Sequence, residues 1–276
     1  MSERLARFLR HALAVLLSAL FLLPLWWVIV ASLREPGLPP PNTVQWWPAA
    51  PFWDNYPAIF RVVSFARYAL NSAIVVAVAV PLTLITASLA GLGLAQLEGA
   101  WRRRVLMITI GLLIVPSASG WMFRFQLLRW LHLLDSLWAL IVPALGASSP
   151  LFVLLFTWAF RHTPAEVYEA ARLDGADGPT LWWHIALPLA RPTVAAVTVL
   201  SFALYWSDFV GPVLYLYDPQ TYTLPIGLQL LNQLDSTNWP LLMAASTILV
   251  LPALIMFLLI QRFFLQESRL GGTSGY

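Results

Sequence analysis

The chain has no cysteine and no lysine. Without cysteine it can form neither a disulfide nor a thiolate metal site. Without lysine it cannot build the phosphate loop of a P-loop ATPase, whose lysine reaches the β- and γ-phosphates. Any nucleotide energy must therefore come from another chain. Charge is scarce too: 11% of 276 residues are charged, against about 25% in a soluble domain. The four histidines (His11, His132, His162, His184) are scattered, with no pair at ligand spacing. The loops carry no paired carboxylates and no nucleophile–base set, which argues against a membrane enzyme. No internal repeat is evident, which argues against an ion-driven secondary transporter built around a midplane site. A net charge of +3 is too small to indicate a nucleic-acid partner.

What is present is apolar. Hydrophobic residues make up 59% of the chain, and six stretches reach the roughly 20 residues a bilayer span needs. They are Ala12–Leu33, Tyr68–Leu97, Val105–Phe123, Ser136–Phe160, Pro192–Leu216 and Pro240–Ile260. This predicts an all-α membrane protein with six transmembrane helices. The first stretch follows Arg4, Arg7 and Arg10 as a signal peptide would, but its length favours a retained helix. Between the first two spans, residues 34–67 are rich in proline and tryptophan. Proline blocks long regular elements and tryptophan favours the interface, so an irregular outer segment with a short helix near Trp53–Arg61 is expected. Ala87, Ser88, Ala90, Gly91, Gly93 and Ala95 cluster in the second span, where small residues let backbones approach. They suit packing within the chain or against a second, similar subunit.

Arginine placement sets the orientation. With the N-terminus in the cytoplasm, Arg4, Arg7, Arg10, Arg102, Arg103, Arg104, Arg161, Arg172, Arg191, Arg262 and Arg269 fall inside. Arg34, Arg61, Arg67, Arg124 and Arg129 fall outside. The excess puts both termini, and the loop Thr163–Pro192, in the cytoplasm.

That loop is much longer than an ordinary connection of 2–8 residues. Thr163-Pro164-Ala165-Glu166 has the form of a capping box. A helix is expected through Leu173, stopped at Asp174-Gly175 by a glycine able to turn left-handed. Pro179 opens a second short helix, stopped by Pro188. The result is a helix–turn–helix elbow. Ala170 and Ala171 give it a small face, Glu169 and Arg172 sit one turn apart and can pair, and Ile185 and Leu187 tie it to the membrane helices. Such an elbow suits docking in a partner's groove.

For a transport path the sequence offers Asp208, the one acid within a span, and the neighbouring Tyr205 and Trp206. Intramembrane charge is a functional candidate, although Asp208 lies near enough to the outer end to meet water. Gly211-Pro212 is expected to bend or end its helix. Tyr205 and Trp206 suit either stacking on sugar faces or an interfacial aromatic belt.

Glu169-Ala170-Ala171, Gly175 and Ile185-Ala186-Leu187-Pro188 stand at the spacing of the EAA loop. With Asn71-Ser72, Leu89-Ala90-Gly91, Leu134-Asp135-Ser136, Trp206-Ser207-Asp208-Phe209, Thr223-Leu224-Pro225-Ile226-Gly227-Leu228 and Gln261-Arg262-Phe263-Phe264, the chain resembles ABC-importer permeases of the carbohydrate-uptake class, most closely the subunit type of maltose importers. The resemblance implies a MetI-like core over residues 68–265, preceded by a helix and outer segment at 1–67 and followed by a cytoplasmic tail at 266–276. It implies a bacterial inner-membrane subunit that forms half of a pathway for a sugar or oligosaccharide; a polyol, a glycerol phosphate or a peptide is the alternative cargo. The implied partners are a second, non-identical permease, an ATPase dimer and an extracytoplasmic solute-binding protein. The chain itself would bind no cofactor, with ATP and magnesium on the ATPase. Glu169, Ala170, Ala171, Asp174, Gly175, Ile185, Leu187 and Pro188 would form the loop seated on that ATPase. The tail keeps Gly271-Gly272 but departs from the family's pattern on either side.

Overall fold

The computed structural model describes residues 3–43, 45–48 and 50–270; the regular elements among them are helices, with no strand. The tail pair Gly271-Gly272 lies outside the described residues. Among the described residues, four helices are long and apolar enough to cross a membrane: Leu5–Ser32, Phe65–Gln96, Trp138–His162 and Trp239–Gln261. Two bent pairs meet the same test, which gives up to six spans. The longest helices are α1 (Glu3–Ser32), α3 (Phe65–Gln96) and α14 (Trp239–Leu270), each with an internal proline (Pro24, Pro81 and Pro252). Membrane helices tolerate these because neighbouring groups satisfy the freed carbonyls.

Three expected spans are interrupted, each for a local reason. The span at Val105–Phe123 divides into α4 (Gly99–Ile114) and α5 (Ser117–Trp130), bent by 99°. Pro116 brings no N–H to the helix and forces Val115 into extended backbone at φ −68°, ψ 120°. The span at Ser136–Phe160 begins as α6 (Trp138–Ile141), tightens into a 3-10 turn at Val142–Gly146, and resumes as α7 (Pro150–His162). Ala147 and Ser148 are left-handed there, and Ser149 caps α7 through the Leu151 N–H. The span at Pro192–Leu216 is α11 (Arg191–Trp206) followed by α12 (Val210–Tyr215). Its break falls at 207–209, ahead of Gly211-Pro212, because Pro212 sits in the first turn of α12, where an N–H is not needed.

The chain divides into two compact units. One comprises Met1–Ala66 with Gly227–Leu251. In it the proline-rich segment is held by polar ties. Buried Asn55, opening α2 (Asn55–Val62), donates to the carbonyls of Ser32 (2.8 Å) and Arg34 (2.7 Å). Trp26 stacks on Trp47 at 5.7 Å, and Trp27 meets Trp239 at 6.5 Å.

The other unit comprises Arg67–Ile226 with Pro252–Tyr276. Here two of the motif stretches converge on residues 216–224, which lead into α13 (Leu224–Leu234). Asn71 donates to the Gln220 and Tyr222 carbonyls (2.8 and 2.9 Å), and Ser72 Oγ accepts from the Leu224 N–H (2.9 Å). Asp135, left-handed at φ 59°, places one carboxylate oxygen against the N–H groups of Asp218 (2.8 Å) and Tyr217 (2.9 Å) and the Thr221 hydroxyl (3.1 Å). The Asp218 N–H, then that of Tyr217, hold the Asp135 carboxyl below the usual carboxylate range. A lowered native value means this staple stabilises above about pH 4, the ordinary Asp value, and weakens as pH falls toward the native one. Replacing Asp135 by alanine is expected to cost about 1–2 kcal/mol at pH 7, the low end for charge-assisted bonds because the site is partly exposed. Thermal unfolding of the detergent-purified protein against pH checks this. The gap from wild type should close in acid, and a gap constant with pH would show that the carboxylate charge plays no part.

Candidate functional site

The elbow between α7 and α11 is built from two short arms. The first, α8 (Ala165–Leu173), starts after Pro164 without a side-chain cap, so the capping box expected at Thr163–Glu166 does not close in that register. Its stop is the expected one. Gly175 lies at φ 88°, the Ala176 N–H donates to the Ala171 carbonyl (2.9 Å) and the Gly175 N–H to that of Arg172 (3.0 Å). This pair of bonds is a Schellman closure. The second arm opens at Asp177, whose Oδ1 accepts from the Thr180 N–H at 2.9 Å. The Thr180 hydroxyl and N–H draw the Asp177 carboxyl below its usual range. The arm runs as α9 (Gly178–Thr180), a π-helical turn (Leu181–Ala186) and α10 (Leu187–Leu189). Pro188 therefore does not end it: the wider turn before it accommodates a residue that lacks an N–H. The chain then bends by 86° into α11.

Packing locks both arms onto the membrane helices. Tyr168, Leu181 and Ala186 are buried with Ala87 and Leu92 of α3, Phe152, Phe156 and Phe160 of α7, and Val197 of α11. Ile185 and Leu187 pack against this cluster half-buried. Three polar bonds add direction: Tyr168 donates to the Phe160 carbonyl (3.2 Å), Trp182 Nε1 to Ser88 Oγ (2.9 Å), and Arg172 to Gln96 Oε1 (2.8 Å). Burial pushes the Tyr168 phenol up, which keeps it a donor. Arg172 is thus committed to α3, and no ion pair with Glu169 occurs among the described residues.

The eight loop residues do not share one face. Ala170 is exposed while Ala171 is buried, so the expected small face is split between solvent and core. Ala170, Ala171, Asp174, Gly175 and Ile185 line a concavity of about 660 Å³ in the crook of the elbow. Glu169 stands exposed on the outside, and Leu187 and Pro188 line a different groove, beside α3 and α11. Sequence reasoning passed over Leu173, which is 89% exposed at the tip of the first arm. Its signal was there: a leucine next to the Asp-Gly stop, in a helix that buries Tyr168 and Ala171 on its inner face. The anchoring parts of Ser88 and Gln96 on α3 were not legible, because their partners Trp182 and Arg172 are distant in sequence.

The three path candidates separate. Tyr205 OH lies 2.7 Å from Ser148 Oγ, which lies 2.5 Å from Thr83 Oγ1, a polar chain across α3, α11 and the turn before α7. Trp206 is buried and stacks on Phe202 at 5.6 Å. Asp208 accepts from the Gly211 N–H at 3.1 Å and so closes the free end of α12. Its other oxygen would collide with a Cβ on Gly211, so that glycine makes room for the cap. No cluster of metal-ligating side chains occurs among the described residues.

Residues 84–269, which include the whole elbow, match the family described as binding-protein-dependent transport system inner membrane component. The chain belongs to that family. This permease is 28% identical over 264 residues to the arabinooligosaccharides transport system permease protein AraQ of Bacillus subtilis (strain 168), covering 95% of this chain and 93% of that one. It is 31% identical over 223 residues to the AraQ protein of Halalkalibacterium halodurans, covering 80% of this chain and 79% of the relative. Its fold matches a solved chain of a bacterial ABC transporter involved in the import of the acidic polysaccharide alginate. The TM-score is 0.77 at 20% identity, over 96% of this chain and 99% of that one.

Proposed function

We propose that this permease forms half of the membrane pathway of an ATP-driven importer for a sugar or oligosaccharide, with both termini and the elbow in the cytoplasm. The observation that carries the mechanism is the elbow. It is rigid where it meets the membrane helices, through the cluster around Phe156, Phe160 and Leu181, and open where a partner would sit. Exposed Leu173 and Glu169 and the concavity between the arms suit a partner that closes around a helix tip. A push on α8 would pass through Tyr168 and Trp182 to α7 and α3, so an ATPase closing beneath the elbow would move the spans. Absence of lysine supports leaving ATP and magnesium to that ATPase, with no cofactor on this chain.

The remaining partners are a second permease, non-identical by the subunit type the sequence resembles, and an extracytoplasmic binding protein that delivers solute. The core at 68–265 would contain the pathway, with 1–67 and 266–276 as flanking parts. The carbohydrate reading rests on relatives named for arabinooligosaccharides over nearly the whole chain. In this reading Tyr205 borders the path through its polar chain, Trp206 shapes the wall, and Asp208 sets the start of α12. Purifying the intact complex with its binding protein and identifying the co-purified small molecule tests the cargo. A bound saccharide is expected, and a peptide or glycerol phosphate would replace that reading.

A further inference from the structure

The cleft between α4 and α7 has no role in the elbow or the polar chain. It is a cavity of about 490 Å³ lined by Leu106 of α4 and by Leu154, Thr157, Trp158, Arg161 and His162 of α7. Its floor is apolar and its mouth cationic. Arg161 and His162 close α7, while Arg102 and Arg103 lie one turn before Leu106 on α4. Leu106 and Arg161 line the same cleft, so Arg102 and Arg103, one turn from Leu106, lie on the helix that faces Arg161. Among the described residues the one ion pair joins Arg61 to Asp54, which leaves Arg102, Arg103 and Arg161 without an acidic partner.

Helix stability does not account for this arrangement. Cations at the end of α7 suit the helix dipole, but Arg102, in the first turn of α4, opposes it. Arg104 is spent differently, over the Trp101 ring at 5.5 Å. Trp101 and Trp158 are both exposed at this end, as tryptophans are at a membrane–water boundary. The His162 ring lies 4.2 Å from that of Trp158, with Nδ1 2.8 Å from the Trp158 carbonyl, and this holds the mouth in shape.

We propose that this cleft binds an anionic phospholipid, with an acyl chain along Leu106 and Leu154 and the phosphate among Arg102, Arg103 and Arg161. The charge is complementary, because basic clusters at the ends of membrane helices recognise anionic headgroups. The apolar floor calls for a chain that a free anion lacks.

The test uses the complete transporter reconstituted in phosphatidylcholine vesicles containing a minority of phosphatidylglycerol. The complex is extracted in mild detergent and its retained lipid is quantified by mass spectrometry. Wild type should retain phosphatidylglycerol in preference to phosphatidylcholine. Each arginine near the surface is worth roughly fivefold, so Arg102→Gln with Arg161→Gln should lower that preference roughly 25-fold, and the paired lysine substitutions should restore most of it. Leu106→Trp, which keeps every charge, should also release the lipid by filling the floor. Equal retention of both lipids by wild type overturns the proposal, as does full retention by Leu106→Trp. Displacement by inorganic phosphate would make the site one for a free anion. A photo-crosslinker at position 158 that captures the second permease rather than lipid would make it a protein interface.

Discussion

Replacing Gly175 by leucine is expected to lower uptake by the assembled transporter about tenfold while the chain still inserts. The glycine sits at φ 88°, where a side chain costs about 1–2 kcal/mol, and no atom lies within 4 Å of a Cβ placed there. The damage is therefore conformational rather than a clash. It falls on the two closing bonds, from the Ala176 and Gly175 N–H groups, that set the angle between the arms. A penalty of that size already corresponds to roughly tenfold in the population of the correct elbow. Gly175→Asn, which tolerates the left-handed region, should recover much of the activity. Glu169→Lys is expected to lose uptake and ATPase co-purification by a separate route, since Glu169 is exposed and its reversal leaves the packing untouched. Uptake in cells together with co-purification of the ATPase measures both. Full transport by Gly175→Leu and Glu169→Lys would remove the coupling role.

Gly91→Ala is expected to have the largest effect on folding of any single added methyl considered. A Cβ there would sit 2.6 Å from Phe156 Cβ, 3.0 Å from the Thr157 nitrogen and 3.1 Å from the Val153 carbonyl oxygen. These are main-chain atoms and a Cβ, none of which can swing aside, so α3 and α7 would have to part. Overpacking of this kind costs about 1–3 kcal/mol, and in lipid the loss is of close packing, which is what holds membrane helices together. Truncating Phe156 to alanine cannot relieve it because alanine keeps the Cβ. Gly93→Ala, with nothing within 4 Å, should be neutral. Thermal unfolding in detergent separates the two variants, and equal melting would contradict the close approach of α3 and α7.

The helical class, the long spans at α1, α3 and α14, and the Asp-Gly stop were legible in the sequence because hydropathy and glycine geometry act locally. Interruptions were less so. Pro116 lies inside an unbroken apolar run, and a composition window passes over it although one missing N–H bends the chain. The elbow's existence was readable, but its facing was not. Which of Ala170 and Ala171 turns inward follows from the packing of Tyr168 against Phe156, Phe160 and Leu181, contacts that lie on other elements. Arg172 illustrates the same limit. A neighbour one turn away at Glu169 looked like its partner, yet Gln96, on α3, holds it. Long-range polar links such as Tyr205–Ser148–Thr83 depend on the left-handed turn at Ala147 and Ser148, which neither residue type announces.

The tie between Asn71, Ser72, Asp135 and residues 216–224 has an evolutionary side. Asn71, Ser72 and most of the Asp135 contacts grip main-chain N–H and carbonyl groups. Such a clasp does not depend on what side chains the gripped loop carries. Tyr217 and Asp218 can be replaced without loosening it, so the loop's outward chemistry is free to vary on an unchanged scaffold.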